Sequence, residues 1–347
     1  MNFARNNHYV PQAYLKNWAG SDGKVSVYSL LVPHGNVPLW QRRSIGSTGS
    51  HTDLYTTSTR QDETDDLERW LNREIESPAA EPLKCALAES RLHEDDWHRL
   101  IRLYALQEAR TPSSFNQFLK RWNERGQDFI DDTVSGSIEK LEAALAAGGS
   151  PPPTNNIDCD IWIPFGIRSH IEPEAPSGTI KAELVVGREL WHFSVRHTVT
   201  SSYKALLGHK WTILKAARGT EWPTSDHPSI CYANKKFLND PDGPGWLTPG
   251  AELFMPLDPT HLFYTQVGTR PPLRGAIASA AVTERIRHIL LQRAHRYIFS
   301  CSENTELCRL RPRHISHDAY IEEKEHWQTL HDENTAAVRS LASMRSQ

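Results

Sequence analysis

The chain has 347 residues, of which 38% are hydrophobic and 23% charged, with a formal net charge of -3 at pH 7. That length corresponds to one large domain or two intimately joined ones, and the charge balance argues neither for nor against nucleic acid. No stretch approaches the roughly 18 apolar residues of a membrane span, and the polar segment Met1–Trp18 lacks the apolar core of a signal peptide, so a cytoplasmic protein with no membrane partner is expected. The five cysteines, at 85, 159, 231, 301 and 308, are odd in number and lack the spacing of a disulfide framework, so reduced thiols are expected.

Pro11–Trp18 reads as a short helix with Tyr14, Leu15 and Trp18 on one side. Lys24–Leu30 alternates as a half-buried strand does, and Val37–Trp40 and Asp53–Thr57 are further short strand candidates. Residues 62–147 read as helical: Leu67, Trp70, Leu71 and Ile75 recur at helical spacing, as do Trp97, Leu100, Ile101 and Tyr104. Thr111-Pro112 punctuates this block, since proline suits the first turn of a helix. Gly148-Gly149-Ser150-Pro151-Pro152-Pro153 reads as a linker. Beyond it, Trp191–Leu207 is a helix candidate. Trp211–Ala216, Ser229–Tyr232, Leu253–Leu257 and His261–Val267 are strand candidates. Ser279–Phe299 reads as an amphipathic helix running into a strand-like end. The expected fold is α+β, a helical N-terminal half packed on a mixed, mainly antiparallel sheet half. The expected parts are residues 1–147, 154–320 and a polar C-terminal helix or tail over 321–347, the first two forming one intimate unit.

Two segments place ionisable side chains beside proline, where the backbone is restricted: His8-Tyr9-Val10-Pro11-Gln12 and Thr224-Ser225-Asp226-His227-Pro228. His8 is the natural acid–base candidate, because an imidazole titrates near neutrality. On the helix after Glu94, Gln107 and Arg110 project toward the apolar stripe, where an amide and a guanidinium need partners. The same helical phase puts Glu74 on the apolar face of the preceding helix and Glu76 elsewhere. Glu74 is then either the partner of Arg110 or, with Glu76 as the other candidate, a supporting carboxylate that acts as general base or metal ligand. Asp226 either positions a water or divalent metal or caps its own loop. Arg285, Arg293 and Arg296 form a ridge that suits phosphates or a solvated face. Cys301, Cys308, His314 and His317 match a zinc set only in residue type, and their spacings are wrong for a common finger. No Walker loop, dinucleotide fingerprint or Gly-x-Ser-x-Gly occurs.

The run His8–Leu15, followed by Asn17-Trp18, resembles the opening signature of a bacterial and fungal family, domain of unknown function 4238. That family begins with His-Tyr-Val-Pro-Gln and an aromatic-Leu pair. Gln107-x-x-Arg110-Thr111, Thr224–Pro228 and Pro256-Leu257 with Pro259 are similar to its later segments, in the same order, over about residues 5–300. The family pattern tends to carry Asn where this chain has His227. Members have been linked to bacterial defence against phages as single-gene systems. The resemblance therefore implies an effector with a phage-encoded trigger, and it implies that His8, Gln107, Arg110 and Asp226 form one site.

The expectation that follows is a nuclease acting on RNA or another nucleic acid without an obligatory cofactor. His8 is its acid or base, Arg110 steadies phosphate charge, and Asp226 orients His8 or holds a divalent metal. Tyr9, Gln12, Gln107, Ser225 and His227 bind substrate. The alternatives are a non-catalytic sensor of a phage component or anionic ligand, and an NAD-consuming enzyme. A homo-oligomer is compatible with all three.

Overall fold

The computed structural model describes residues 5–58, 63–148, 165–171, 178–233 and 244–344. The linker expected after Gly148, and Cys159, lie outside them. Among the described residues no helix is long and apolar enough to cross a membrane.

The fold is α+β, with a helical N-terminal half and antiparallel sheets in the C-terminal region. One four-stranded sheet orders the strands Thr212–Lys215, His261–Gln266, Glu252–Pro256 and Ile230–Tyr232 from edge to edge, all antiparallel. Both of its faces are buried. Leu253, Met255 and Phe263 point into the main core, whereas Phe254, Leu262 and Tyr264 pack with Ile286 and Leu290 of the Ala280–Arg293 helix. Burial on both sides explains why Leu253–Leu257 is a continuous apolar run rather than an alternating one.

The second four-stranded sheet joins the two ends of the chain. Lys24–Ser29 pairs on one side with Trp40–Ser44 and on the other with Tyr297–Ser300, which in turn pairs with Thr224–Ser225. Residues before 60 and after 220 therefore share one hydrogen-bonded layer. The strand expected over Val37–Trp40 starts at Trp40 instead, with Tyr28 opposite Trp40 and Lys24 opposite Ser44. Pro38 has no N–H to offer a ladder. Of the strand expected over Asp53–Thr57, only Thr57 is in a strand, Thr57–Ser58 paired with Glu63–Thr64; the segment begins as a turn with Asp53 at φ 57°, and Ser50–Thr52 just before it pairs with Asn6–His8.

The helical block resolves into Asp66–Leu71, Ser77–Leu87, Glu94–Ala109 and Pro112–Ala146. Pro112 occupies the first turn as its chemistry predicts, and Thr111 Oγ1 accepts the Ser114 N–H at 3.2 Å as the N-cap. The segment expected as one helix over Trp191–Leu207 is the Arg188–Thr200 helix followed by a 3-10 stretch, Ser202–Gly208. The C-terminal helix, His317–Met344, docks back on the N-terminal half. Trp327 lies 4.5 Å from the His51 ring and 5.7 Å from Phe115 between centroids. Asn334 Oδ1 accepts the Arg188 N–H at 3.1 Å, over Gly187, where a Cβ would fall 1.3 Å from that oxygen.

Candidate functional site

The N-terminal run meets the Thr224–Pro228 and Pro256-Leu257 segments, although they lie up to about 240 positions apart. Tyr14 OH donates to Pro256 O at 2.7 Å and accepts from Thr224 Oγ1 at 2.8 Å. Asn17 Nδ2 donates to Leu257 O at 2.8 Å, and Trp18 Nε1 to Trp222 O at 3.2 Å. A fully buried chain crossing needs every polar group satisfied, and these bonds do so while locking the N-terminal run to the second half.

The His8 segment is held through its main chain. The His8 N–H donates to Glu68 Oε1 at 3.0 Å, and the His8 carbonyl accepts from Arg110 Nη2. Its half-buried ring faces the other way, with Nε2 3.2 Å from Gly46 O and 3.4 Å from the exposed Gln12 amide. Tyr9 is buried, and its phenol is pushed well above its ordinary pKa by desolvation and by the nearby Asp226 charge. Buried Asn7, which pattern reading passed over, completes the clamp by donating to Glu68 Oε2 at 2.6 Å and accepting the Tyr55 N–H at 2.9 Å.

Arg110 is 1% exposed. Its Nη1 pairs with Glu76, its Nη2 with the His8 carbonyl, and its guanidinium lies over the Tyr55 ring, 5.5 Å from the centroid. Burial alone would favour losing the proton, but the Glu76 carboxylate and Tyr55 together outweigh it and keep the guanidinium charged. The partner is thus Glu76 rather than Glu74, whose side chain pairs with Arg73 at 2.7 Å on the surface. The cause is a π turn over Asn72–Glu76. Bonding from i to i+5 advances less per residue than an α-turn, so the phase counted from a pure α period no longer holds across these residues.

Gln107 is fully buried, and among the described residues neither of its amide atoms has a hydrogen-bond partner. Asp226 is 1% exposed and accepts three main-chain N–H groups, from His295 at 2.9 Å, Arg296 at 2.6 Å and Tyr297 at 3.1 Å. Burial raises its pKa against those bonds. Ser225 is buried, and its Oγ accepts the His227 N–H at 3.1 Å. Its neighbours therefore occupy Asp226 as a loop cap. Arg110 meets the His8 main chain, but the imidazole, guanidinium and carboxylate do not converge on a solvent-filled hollow. Nor do Asp226, Glu74 and Glu76 meet as a metal set, and among the described residues no three His, Cys, Asp or Glu side chains cluster to hold a metal ion.

The open hollow lies one residue along from the motif positions. A cleft of about 850 Å³ is lined by Glu108, next to Gln107, and by His227, next to Asp226, with Arg293, His288, Lys120 and Trp246 on its walls. Its size falls within the range of ligand pockets. Glu108 is half-buried and accepts from Trp246 Nε1 at 2.7 Å. Burial pushes its pKa up to about 7, against the lowering effects of Trp246, Tyr104 and the Arg293 charge. His227 is held through Nδ1, 2.9 Å from Thr111 Oγ1, while burial and the charges of Arg293 and His295 push its pKa down to about 4. The sequence did carry a signal for Glu108: it stands four residues after Tyr104, on the flank of the buried face. The expected arginine ridge is dispersed. Arg285 is paired with Glu252 at 2.6 Å and Arg296 with Glu323, which leaves Arg293 facing the cleft.

The depressed His227 gives a pH signature. Between about pH 6.5 and 4 the unfolded chain binds a proton at His227 that the folded chain does not, so acidification costs about 1.4 kcal/mol of stability per pH unit. The stability difference between wild type and His227→Asn, read from urea unfolding, is expected to move against wild type by about 3 kcal/mol across that window. A difference independent of pH would show that the folded imidazole protonates freely.

No curated protein and no solved structure matches the chain significantly. The family resemblance read from the N-terminal run does hold, over a span that takes in all four motif segments and the cleft but stops short of the C-terminal helix. The model of the family described as Protein of unknown function (DUF4238) matches residues 6–304, and the chain belongs to that family.

Proposed function

We propose that the chain is a hydrolase of phosphodiesters, a nuclease of the defence-effector kind, whose active site is the cleft holding Glu108, His227 and Arg293. The observation that carries this reading is the pairing of two acid–base groups in different states beside a cation that makes no ion pair among the described residues. A carboxyl that titrates near neutrality serves as general acid, and an imidazole held neutral serves as general base. In the proposed reaction His227 takes a proton from the attacking water, the water oxygen bonds to phosphorus, and the bond to the leaving oxygen breaks as Glu108 protonates it. Arg293 balances the charge that builds on the phosphoryl oxygens. His8, Arg110 and Asp226 then act on this site only by holding its walls in place.

The test is single-stranded RNA incubated with purified protein, with and without a divalent cation. Wild type is expected to cut it, Glu108→Gln to lower the rate about a hundredfold, and Arg293→Ala to weaken substrate binding. Cleavage by Glu108→Gln at the wild-type rate would sink the assignment. Thermal stabilisation by inorganic phosphate without turnover would favour the ligand sensor, and loss of NAD with RNA intact would favour the NAD-consuming enzyme.

A further inference from the structure

One side of the cleft is a turn, Pro244–Thr248, secured at several points. Cys231 Sγ–H donates to Pro244 O at 3.2 Å, the Gly245 N–H donates to Thr248 Oγ1 at 3.0 Å, and the Thr248 N–H donates to Gly245 O at 3.0 Å. His209 Nε2 lies 2.8 Å from Trp246 O. Leu247, at the tip, is 64% exposed, so the turn gains little by burying its own apolar residue. Trp246 instead points its indole N–H at Glu108 Oε2, 2.7 Å away.

An indole N–H only donates, so it aligns one carboxyl oxygen and favours the ionised form. The groups that act on Glu108 besides Trp246 are Tyr104 on its own helix, Cys231 on the Ile230–Tyr232 strand and Arg293 at the end of the Ala280–Arg293 helix, and the same cleft is lined by the titratable or charged His227, His288, Lys120, Arg121 and Glu124. Tyr104 donates its hydroxyl hydrogen to Ile230 O at 2.9 Å, and its hydroxyl also lies close enough to lower the Glu108 pKa. Trp246, which comes from outside the Glu108 helix, donates to the carboxyl across the cleft at 2.7 Å.

We propose that Trp246 is the positioning residue of the cleft, with the Pro244–Thr248 turn anchored so that its indole N–H fixes the Glu108 carboxyl toward bound substrate. This inference rests on the reading of Glu108 as the acid of the site. Desolvation drives Glu108 toward its neutral form and the indole bond opposes it, so the balance between the two sets where the acid titrates.

The experiment follows the Glu108 carboxyl directly. In protein labelled with 13C at glutamate carboxyls, the Glu108 resonance is assigned by its absence from Glu108→Gln. Trp246→Phe keeps the ring and removes the donor, so the midpoint is expected to rise by about one pH unit, and the alkaline limb of RNA cleavage to rise with it. An unchanged midpoint in folded Trp246→Phe overturns the proposal, even if the rate drops. If that variant does not fold, the wild-type chain grown with 5-fluorotryptophan decides. One of its eleven tryptophan 19F resonances is expected to titrate with the Glu108 midpoint and to become pH-independent in Glu108→Gln. The absence of any such resonance overturns the proposal. Full RNA cleavage by Glu108→Gln would remove the acid role while leaving the midpoint comparison valid, so the two readings fail separately.

Discussion

Replacing Arg110 with alanine is expected to lower folding stability by about 3–5 kcal/mol, read as a fall in the urea midpoint by circular dichroism. The guanidinium is 1% exposed and joins three distant parts of the chain: Glu76 at the end of the π turn, the His8 carbonyl and the Tyr55 ring. Truncation leaves the Glu76 carboxylate and the His8 carbonyl without their donor, and the cost of unpaired polar groups dominates over the lost attraction. Glu76→Gln is expected to destabilise as well, since it strands a buried charge. The double variant Arg110→Met, Glu76→Leu is expected to recover part of the loss, because removing both partners removes the desolvation penalty too. An Arg110→Ala protein of wild-type stability that fails to cut RNA would return Arg110 to the chemistry.

Asp226→Ala carries the second large effect, about 3–5 kcal/mol. The carboxylate caps the turn into Tyr297–Ser300 through three main-chain N–H groups, and alanine leaves all three without an acceptor. Asp226→Asn keeps an acceptor oxygen but turns amide hydrogens toward one of those donors, so a smaller loss is expected. Hydrogen exchange is the direct readout: Asp226→Ala is expected to accelerate exchange at 295–300 and at the strands paired there, Thr224–Ser225 and Lys24–Ser29. Unaltered protection of these amides would show that the cap is dispensable. His227 follows Asp226 in the chain and lines the cleft, so loosening the cap is also expected to disturb the site.

These two residues show how far the sequence could be read. Arg110 and Asp226 were legible as polar groups that needed partners, because helical phase and proline-flanked loops are local properties. Their partners were not legible. The choice of Glu76 over Glu74 turns on the Asn72–Glu76 π turn, which no apolar period announces. The acceptor role of Asp226 depends on main-chain N–H groups about seventy positions downstream, and main-chain donors leave no trace in residue type. The spacing of Glu108 from Tyr104 is only a faint signal, because a carboxylate on the flank of an amphipathic helix reads as solvated. Glu108 becomes a candidate acid only when Trp246 and the Ile230–Tyr232 strand close beside it.

By itself the amino-acid sequence determined the elements and the kinship. Apolar periods marked the Glu94–Ala109 and Ala280–Arg293 helices and the buried strands, and the His8–Leu15 run marked the family. Tertiary structure alone decided which ionisable groups are walled in and which face open space. Periodicity assigns a side chain to a face, but only the packing of distant segments sets whether that face meets a carboxylate, a main-chain donor or water, and that contact governs both its charge and its use.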